Sequence, residues 1–167
     1  MSILRVDQIQ HSNGTSALTI DSSGRMNFGN KPLVHACRNV TSAWENFGTT
    51  AVIYIYNFTI TNVGNNYSTS TGIFTCPISG YYKITTSALF GSVAAYAYQF
   101  HYKNGAPIAG NTSAHYNTTT STGAYWTCGY STIVQCSAND TLAVYATTSG
   151  TTIYGSGHSN LTIEFLG

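Results

Sequence analysis

The sequence predicts an all-β fold, a sandwich or barrel of many short strands, and three observations carry that prediction. Runs rich in β-branched and aromatic residues recur at 33–39, 51–60, 81–90, 94–102, 130–136, 141–147 and 161–166, each bounded by Gly, Asn, Ser or Pro clusters. Along 94–102 the side chains alternate, with Tyr96, Tyr98, Phe100 and Tyr102 on one side and Ala95, Ala97, Gln99 and His101 on the other. No window keeps a helical period for three turns. Strands this short and this numerous bury their apolar faces only in a layered or closed β architecture.

Taken in order, the first 31 residues read as a small unit of their own. Leu4 to Gln10 and Ser16 to Asp21 are joined by Asn13-Gly14, a dipeptide suited to hairpin turns, and Ser23-Gly24 turns the chain again before Arg25 to Phe28. Ile3, Val6, Ile9, Ala17, Leu18 and Ile20 are too few to form a core in one chain, whereas three copies together can supply one. Gly29-Asn30-Lys31-Pro32 reads as the joint to a second unit, 32–167. Within it, 51–60 carries large side chains on both alternating faces and is expected as one strand covered on both sides. The rings of Tyr96, Tyr98, Phe100 and Tyr102 require either a deep core or a subunit interface.

The stretch Gly72-Ile73-Phe74-Thr75-Cys76-Pro77-Ile78-Ser79-Gly80-Tyr81-Tyr82, preceded by the Asn/Gly loop Asn62 to Tyr67, resembles the core motif of the complement and tumour necrosis factor superfamily in its complement globular-head branch. Lys103-Asn104-Gly105 falls where that family places a hairpin turn, Ser137 to Val144 is similar to its Gly-Asp turn and following strand, and Gly157 to Leu166 is similar to its closing strand. Asn139 stands where the family usually has glycine, and Leu161 and Glu164 where it prefers Phe and Gly. The resemblance covers residues 32 to 166 and implies a homotrimeric jelly roll that binds and does not catalyse. Ile3 to Gln10 with Asn13 to Arg25 resembles the leaders of short virion proteins of tailed bacteriophages, marine and cyanobacterial ones especially. Together the two resemblances imply a head on the virion surface, with residues 1–31 as attachment and trimerisation segment. On that resemblance Ile3, Val6, Ile9, Leu18 and Ile20 are the expected anchoring residues, ordered by trimerisation or by docking on capsid or tail proteins.

Composition narrows the function. Charged residues make up 7% of the chain, against about 25% in ordinary soluble domains. Thirteen tyrosines on a polar, uncharged background suit a surface buried against copies or a larger assembly. A net charge of +1 with no basic stripe excludes nucleic acid as the partner. No apolar run is long enough to insert in a membrane, and the N-terminus lacks a secretory pattern, so synthesis in the host bacterial cytoplasm is expected. Cys37, Cys76, Cys128 and Cys136 lack zinc-ligand spacing and read as small buried thiols. Cys128 and Cys136 lie about 26 Å apart along one strand and do not pair with each other.

No catalytic motif is present, and Asp7, Asp21, Glu45, Asp140 and Glu164 are scattered, so neither a general acid–base pair nor a cofactor site is expected. Asp140 reads as a turn residue that caps its own backbone. Among the histidines His101 is the candidate for an axial site, because a threefold axis would triple it into a metal or anion ligand set. Tyr116, Asn117, Tyr125, Trp126 and Tyr130 flank the segment 117–123 and are candidates for host-surface glycan, the rings stacking on sugar faces and the loop bonding hydroxyls. The competing arrangement packs Trp126 and Tyr130 inward. With 30 residues ahead of the head, the expectation is a compact appendage or the knob of a fibre, hence an adhesin or a capsid decoration protein. A soluble secreted lectin-like module of the same fold is the alternative.

Overall fold

The computed structural model describes residues 6–14, 16–27, 30–40, 44–91, 95–117, 125–149 and 152–167, without the side chains of 95, 110–117 and 126. The chain divides into two compact units, Met1–Lys31 and Pro32–Gly167.

In the first unit β1 (Gln8–Gln10), β2 (Ser16–Ile20) and β3 (Met26–Asn27) form an antiparallel sheet in that order. Ile9 pairs with Leu18. The β1–β2 turn uses Gly14 at φ 85, its N–H donating to His11 O at 2.9 Å, a conformation that disfavours any residue with a Cβ. Asp21 closes the next turn by accepting from the N–H groups of Ser23 and Arg25, each at 2.9 Å, and from Arg25 Nε at 2.7 Å. None of the described side chains here is buried. Leu18 and Ile20 are half-buried, Val6, Ile9 and Met26 exposed, and Ile3 lies outside the described residues.

The second unit is an antiparallel sandwich. Its strands are β4 (Leu33–Cys37), β5 (Trp44–Glu45), β6 (Val52–Ile53), β7 (Phe58–Val63), β8 (Ile73–Thr75), β9 (Gly80–Phe90), β10 (Ala95–Lys103), β11 (Ala106–Asn117), β12 (Trp126–Cys136), β13 (Thr141–Ser149), β14 (Ile153–Tyr154) and β15 (Asn160–Phe165). One sheet runs β11-β10-β13-β6 with β8 also on β13; the other runs β5-β14-β9-β15-β4-β7 with β12 on the free side of β9. The chain crosses between sheets at every connection from β5 to β10 and again after β11, after β12 and after β13, the wiring of a jelly roll. Phe74, Tyr82, Phe90, Ile84, Leu142, Ile153, Leu161 and Ile163 meet between the sheets, each 0–1% exposed.

The expected strand 51–60 is not one strand. The chain leaves the first sheet after Ile53 and enters the second at Phe58, because this segment carries it across the sandwich. Tyr54 and Tyr56 in the crossing are fully buried, while Phe58 and Ile60 are exposed, so one side is covered rather than two. The crossing backbone keeps its bonds: Tyr54 N–H donates to Val144 O at 2.8 Å, and Arg38 Nη1 donates to Ile55 O at 2.9 Å. The sequence also hides β11, which contains Pro107 and Gly110 and lacks alternation. It is an edge strand, where a missing ladder N–H is tolerated.

Candidate functional site

The site is built around β10. Asn104 (φ 50) and Gly105 (φ 75) form a two-residue turn that pairs Lys103 with Ala106. Register then decides which face of β10 turns inward, since a shift of one residue would exchange the two sets of side chains.

The inward set is polar. Gln99 and His101 are 1% and 0% exposed. His101 Nε2 lies 3.1 Å from Thr86 Oγ1 and its Nδ1 3.0 Å from Thr132 Oγ1, both on the opposite sheet. The Tyr130 ring stacks on the imidazole at 4.1 Å, and its hydroxyl donates to Gln99 O at 3.3 Å. Gln99 Nε2 donates to Tyr56 Oη at 3.3 Å. Burial pulls the His101 pKa down to about 3, so the ring is neutral in the fold. This corrects one expectation: His101 is fully buried and uses both ring nitrogens inside the sandwich, so it is not an axial ligand. Tyr130 lays one ring face on that imidazole and is half-buried.

The outward set is aromatic. Tyr96, Tyr98, Phe100 and Tyr102 are half-buried and lean on one another, with centroids 5.1, 5.8 and 6.4 Å apart in succession. Tyr145 of β13 stacks on Tyr102 at 3.9 Å. The register adds Ala143, Thr147 and Ser149 beside the row, with Ile53 next to Tyr145 and Ile73 next to Ala143, and none of these is charged. The rings therefore do not form the core.

At one end of the second sheet lies a smaller aromatic group. Trp44 on β5 stacks on Tyr125 at 5.1 Å and meets Tyr154 of β14 edge-on at 4.7 Å, with His158 5.0 Å beyond Tyr154. A Cβ at Gly91 would fall 3.1 Å from the Trp44 ring, so glycine there makes room for the indole. Tyr125 is 59% exposed. Of the expected glycan residues, Tyr125 is placed on this platform. Tyr116, Asn117 and Trp126 sit on β11 and β12 with side chains outside the description, and residues 118–124 lie outside it entirely. Trp44, Tyr154 and His158 were not found from sequence, because only the pairing of β5 with β14 and β14 with β9 brings them to one place.

With this geometry in view, the comparisons with known proteins decide the family. Residues 39–163 match the C1q domain family. The chain belongs to it. No curated protein matches the chain in sequence. The globular domain of zebrafish complement 1qA protein superposes with a TM-score of 0.61 at 13% identity, covering 82% of this chain and 98% of that one. Eiger TNF from S. frugiperda gives 0.64 at 14%, covering 83% and 94%, and murine APRIL 0.61 at 14%, covering 81% and 98%. At these identities the likeness is one of fold. Proteins of the C1q and tumour necrosis factor type form homotrimers and are generally binding modules rather than enzymes. Residues 1–31 lie outside the matched range.

The polar groups of this C1q domain are spent on structure. Arg38 Nε donates to Glu45 at 2.9 Å, Lys83 pairs with Glu164 at 3.2 Å and Lys103 with Asp140 at 3.0 Å. Asp140 closes its turn as expected, accepting from Ser137 N–H at 2.8 Å, and also from Asn104 Nδ2 at 2.7 Å. Asn104, Ser137 and Lys103 together hold its carboxyl down at about 2. Asn139, where the family usually has glycine, takes φ 71, a left-handed conformation that asparagine tolerates. An open cleft lined by Asn65, Asn66, Tyr67, Ser68, Thr71, Ile73 and Thr75 has no carboxylate, histidine, lysine or cysteine on its walls. Among the described residues no three His, Cys, Asp or Glu side chains converge.

Proposed function

We propose that this C1q domain is the head of a trimeric, non-enzymatic appendage on the surface of a tailed-phage virion, joined to the particle by residues 1–31. The observation that carries the reading is the inverted amphipathicity of β10. A monomer exposing a contiguous row of four rings, with Tyr145 and two isoleucines beside it, leaves an apolar patch of the kind that marks a protein contact. The row is uncharged and repeats the same chemistry along its length, which suits contact with another copy of itself.

The first unit supports the attachment role. It has turns closed by Gly14 and Asp21 but no buried side chain among its described residues, and its apolar residues Val6, Ile9 and Met26 are exposed. A three-stranded sheet of this size gains its stability from what covers it. Its likeness to phage leaders makes capsid or tail protein the cover. In this reading the chain is an adhesin at a tail tip or a decoration protein of the shell, and the Trp44–Tyr125–Tyr154 platform is where an adhesin meets host-surface glycan.

Immunogold labelling with antibody to residues 32–167 tests the location: label over the shell makes the protein a decoration, and label on the tail makes it an adhesin. Virions that carry no label overturn the reading and return it to a secreted lectin-like module. A chain lacking residues 1–31 is expected to sediment as a trimer and to be absent from particles; its incorporation would remove the leader from the anchoring role.

A further inference from the structure

The cysteines are the nucleophiles that the binding reading does not use. All four are free thiols, and Cys37, Cys76 and Cys136 are buried. Two of them are neighbours. Cys76 follows β8, its N–H donating to Asp140 O and its carbonyl accepting from Asn139 N–H, both at 2.8 Å. Cys136 ends β12 and leads directly into that same turn, which Asp140 N–H closes on Ser137 O at 3.1 Å. The two side chains, 0% and 3% exposed, lie in the same core cluster as Tyr82 and are close enough to influence each other's charge. No other pairing is open. Cys136 is level with Gly80 of β9, whereas Cys128 is level with Ala88, and Cys37, through Asn160, with Ser87. Those positions are more than about 20 Å along the strand from Cys136, and Cys37 and Cys128 are themselves separated by β15 and β9, beyond disulfide reach.

We propose that Cys76 and Cys136 join as an intramolecular disulfide when the protein meets an oxidising medium. The bond would tie the loop of β8, which belongs to the first sheet, to the end of β12 in the second, stapling the sandwich across its core. With a low-molecular-weight disulfide such as oxidised glutathione as oxidant, one cysteine thiolate attacks a glutathione sulfur and expels glutathione. The second thiolate then attacks the protein sulfur of the mixed disulfide and expels the other glutathione. Two S–H bonds are lost, one S–S bond forms, and the released thiolates take up both protons as the added disulfide is reduced to two thiols. Burial holds both thiols in the protonated state, so the reaction proceeds when the Cys76 loop opens. The geometry stands independently of any virion role.

The test uses the full chain purified under reductant, incubated with oxidised glutathione, alkylated and mapped by mass spectrometry. A cross-link between Cys76 and Cys136 is expected, formed faster in mild urea, reversed by dithiothreitol and raising Tm by roughly 10 °C. Cys136→Ser should abolish the shift. The double variant Cys37→Ser/Cys128→Ser keeps only the proposed pair and should lose both remaining thiols on oxidation. Two alkylatable thiols persisting in that variant, or Cys76 linked to Cys37 or Cys128 in the native chain, would overturn the proposal.

Discussion

Strands β10 and β13 lie side by side in one sheet and use their faces in opposite ways. β13 turns Leu142, Val144 and Ala146 inward, with Thr148 fully buried at its end, and Thr141, Ala143, Tyr145 and Ser149 outward, Thr147 between them being covered and bonded to Gly48 O. β10 turns Gln99 and His101 into the core and four rings out. Both polar side chains are satisfied: Gln99 by Tyr56, His101 by Thr86 and Thr132. Buried polar groups with full partners cost little and fix a unique register. The outer rings are half-buried and lean on one another and on Tyr145. The contrast teaches that β10 is ordered on its inner side by hydrogen bonds, whereas its outer side is an uncharged aromatic row, the face that the proposed trimer would cover.

The largest effect should come from charging that outer side. Tyr98→Asp with Phe100→Asp is expected to turn a trimer into a folded monomer by sedimentation equilibrium at micromolar concentration, with unchanged far-UV circular dichroism. A trimer that survives would move the rings from the subunit contact to a contact with the particle, and virion incorporation of the same variant would then be the decisive readout.

The inner side should respond to acid. His101 is neutral in the fold with a pKa near 3, whereas an unfolded histidine titrates near 6.5. Its pKa is lowered on folding, so the stabilising contribution is complete above 6.5 and is lost as pH falls toward 3, because the unfolded chain binds the extra proton. The slope is at most about 1.4 kcal/mol per pH unit, or roughly 3 kcal/mol by pH 4. Thr86, Tyr130 and Thr132 face the ring, and burial raises the Tyr130 pKa, so no second charge enters in this range. A His101→Gln variant should flatten the urea-derived stability between pH 6.5 and pH 4; an equal slope would place the acid sensitivity elsewhere.

A paired substitution separates the two sides more finely. Thr132→Val removes the hydroxyl that lies 3.0 Å from His101 Nδ1 in the core and should cost about 1–3 kcal/mol in urea unfolding. Thr85→Val, which breaks only the exposed Thr85–Ser131 hydroxyl contact of 2.7 Å, should stay within about 0.5 kcal/mol. Equal costs would mean that the buried network carries no special weight.

How much of this could be read from sequence depended on whether a feature was local. The Asn13-Gly14 and Asn104-Gly105 turns and the alternation of 94–102 are nearest-neighbour signals, and each appears where its chemistry requires. The crossing at Tyr54 to Asn57 could not be read, since a run that changes sheets has the same β-branched composition as one that stays. Which face of β10 turns inward was equally hidden: alternation separates the two sets of side chains, but the inward choice rests on Thr86, Tyr130 and Thr132, which are distant in sequence. The platform of Trp44, Tyr125, Tyr154 and His158 spans 114 positions from first to last and leaves no motif.

The smallest expected effect lies at the end of β10, where its inner and outer faces give way to the Lys103-Asn104 turn. There Asp140 accepts from Ser137 N–H, Asn104 Nδ2 and Lys103 Nζ, which lower its pKa from 3.8 to about 2. A carboxyl lowered in the fold stabilises above its unfolded value and loses that contribution as pH falls through the folded one. Asp140→Asn should therefore melt slightly below the native chain at neutral pH, and the two Tm curves should converge between pH 4 and pH 2. Convergence at higher pH would assign the difference to another group. A gap that persisted below pH 2 would mean that Asp140 acts through the shape of its turn, where Asn139 already holds φ 71, and not through its charge.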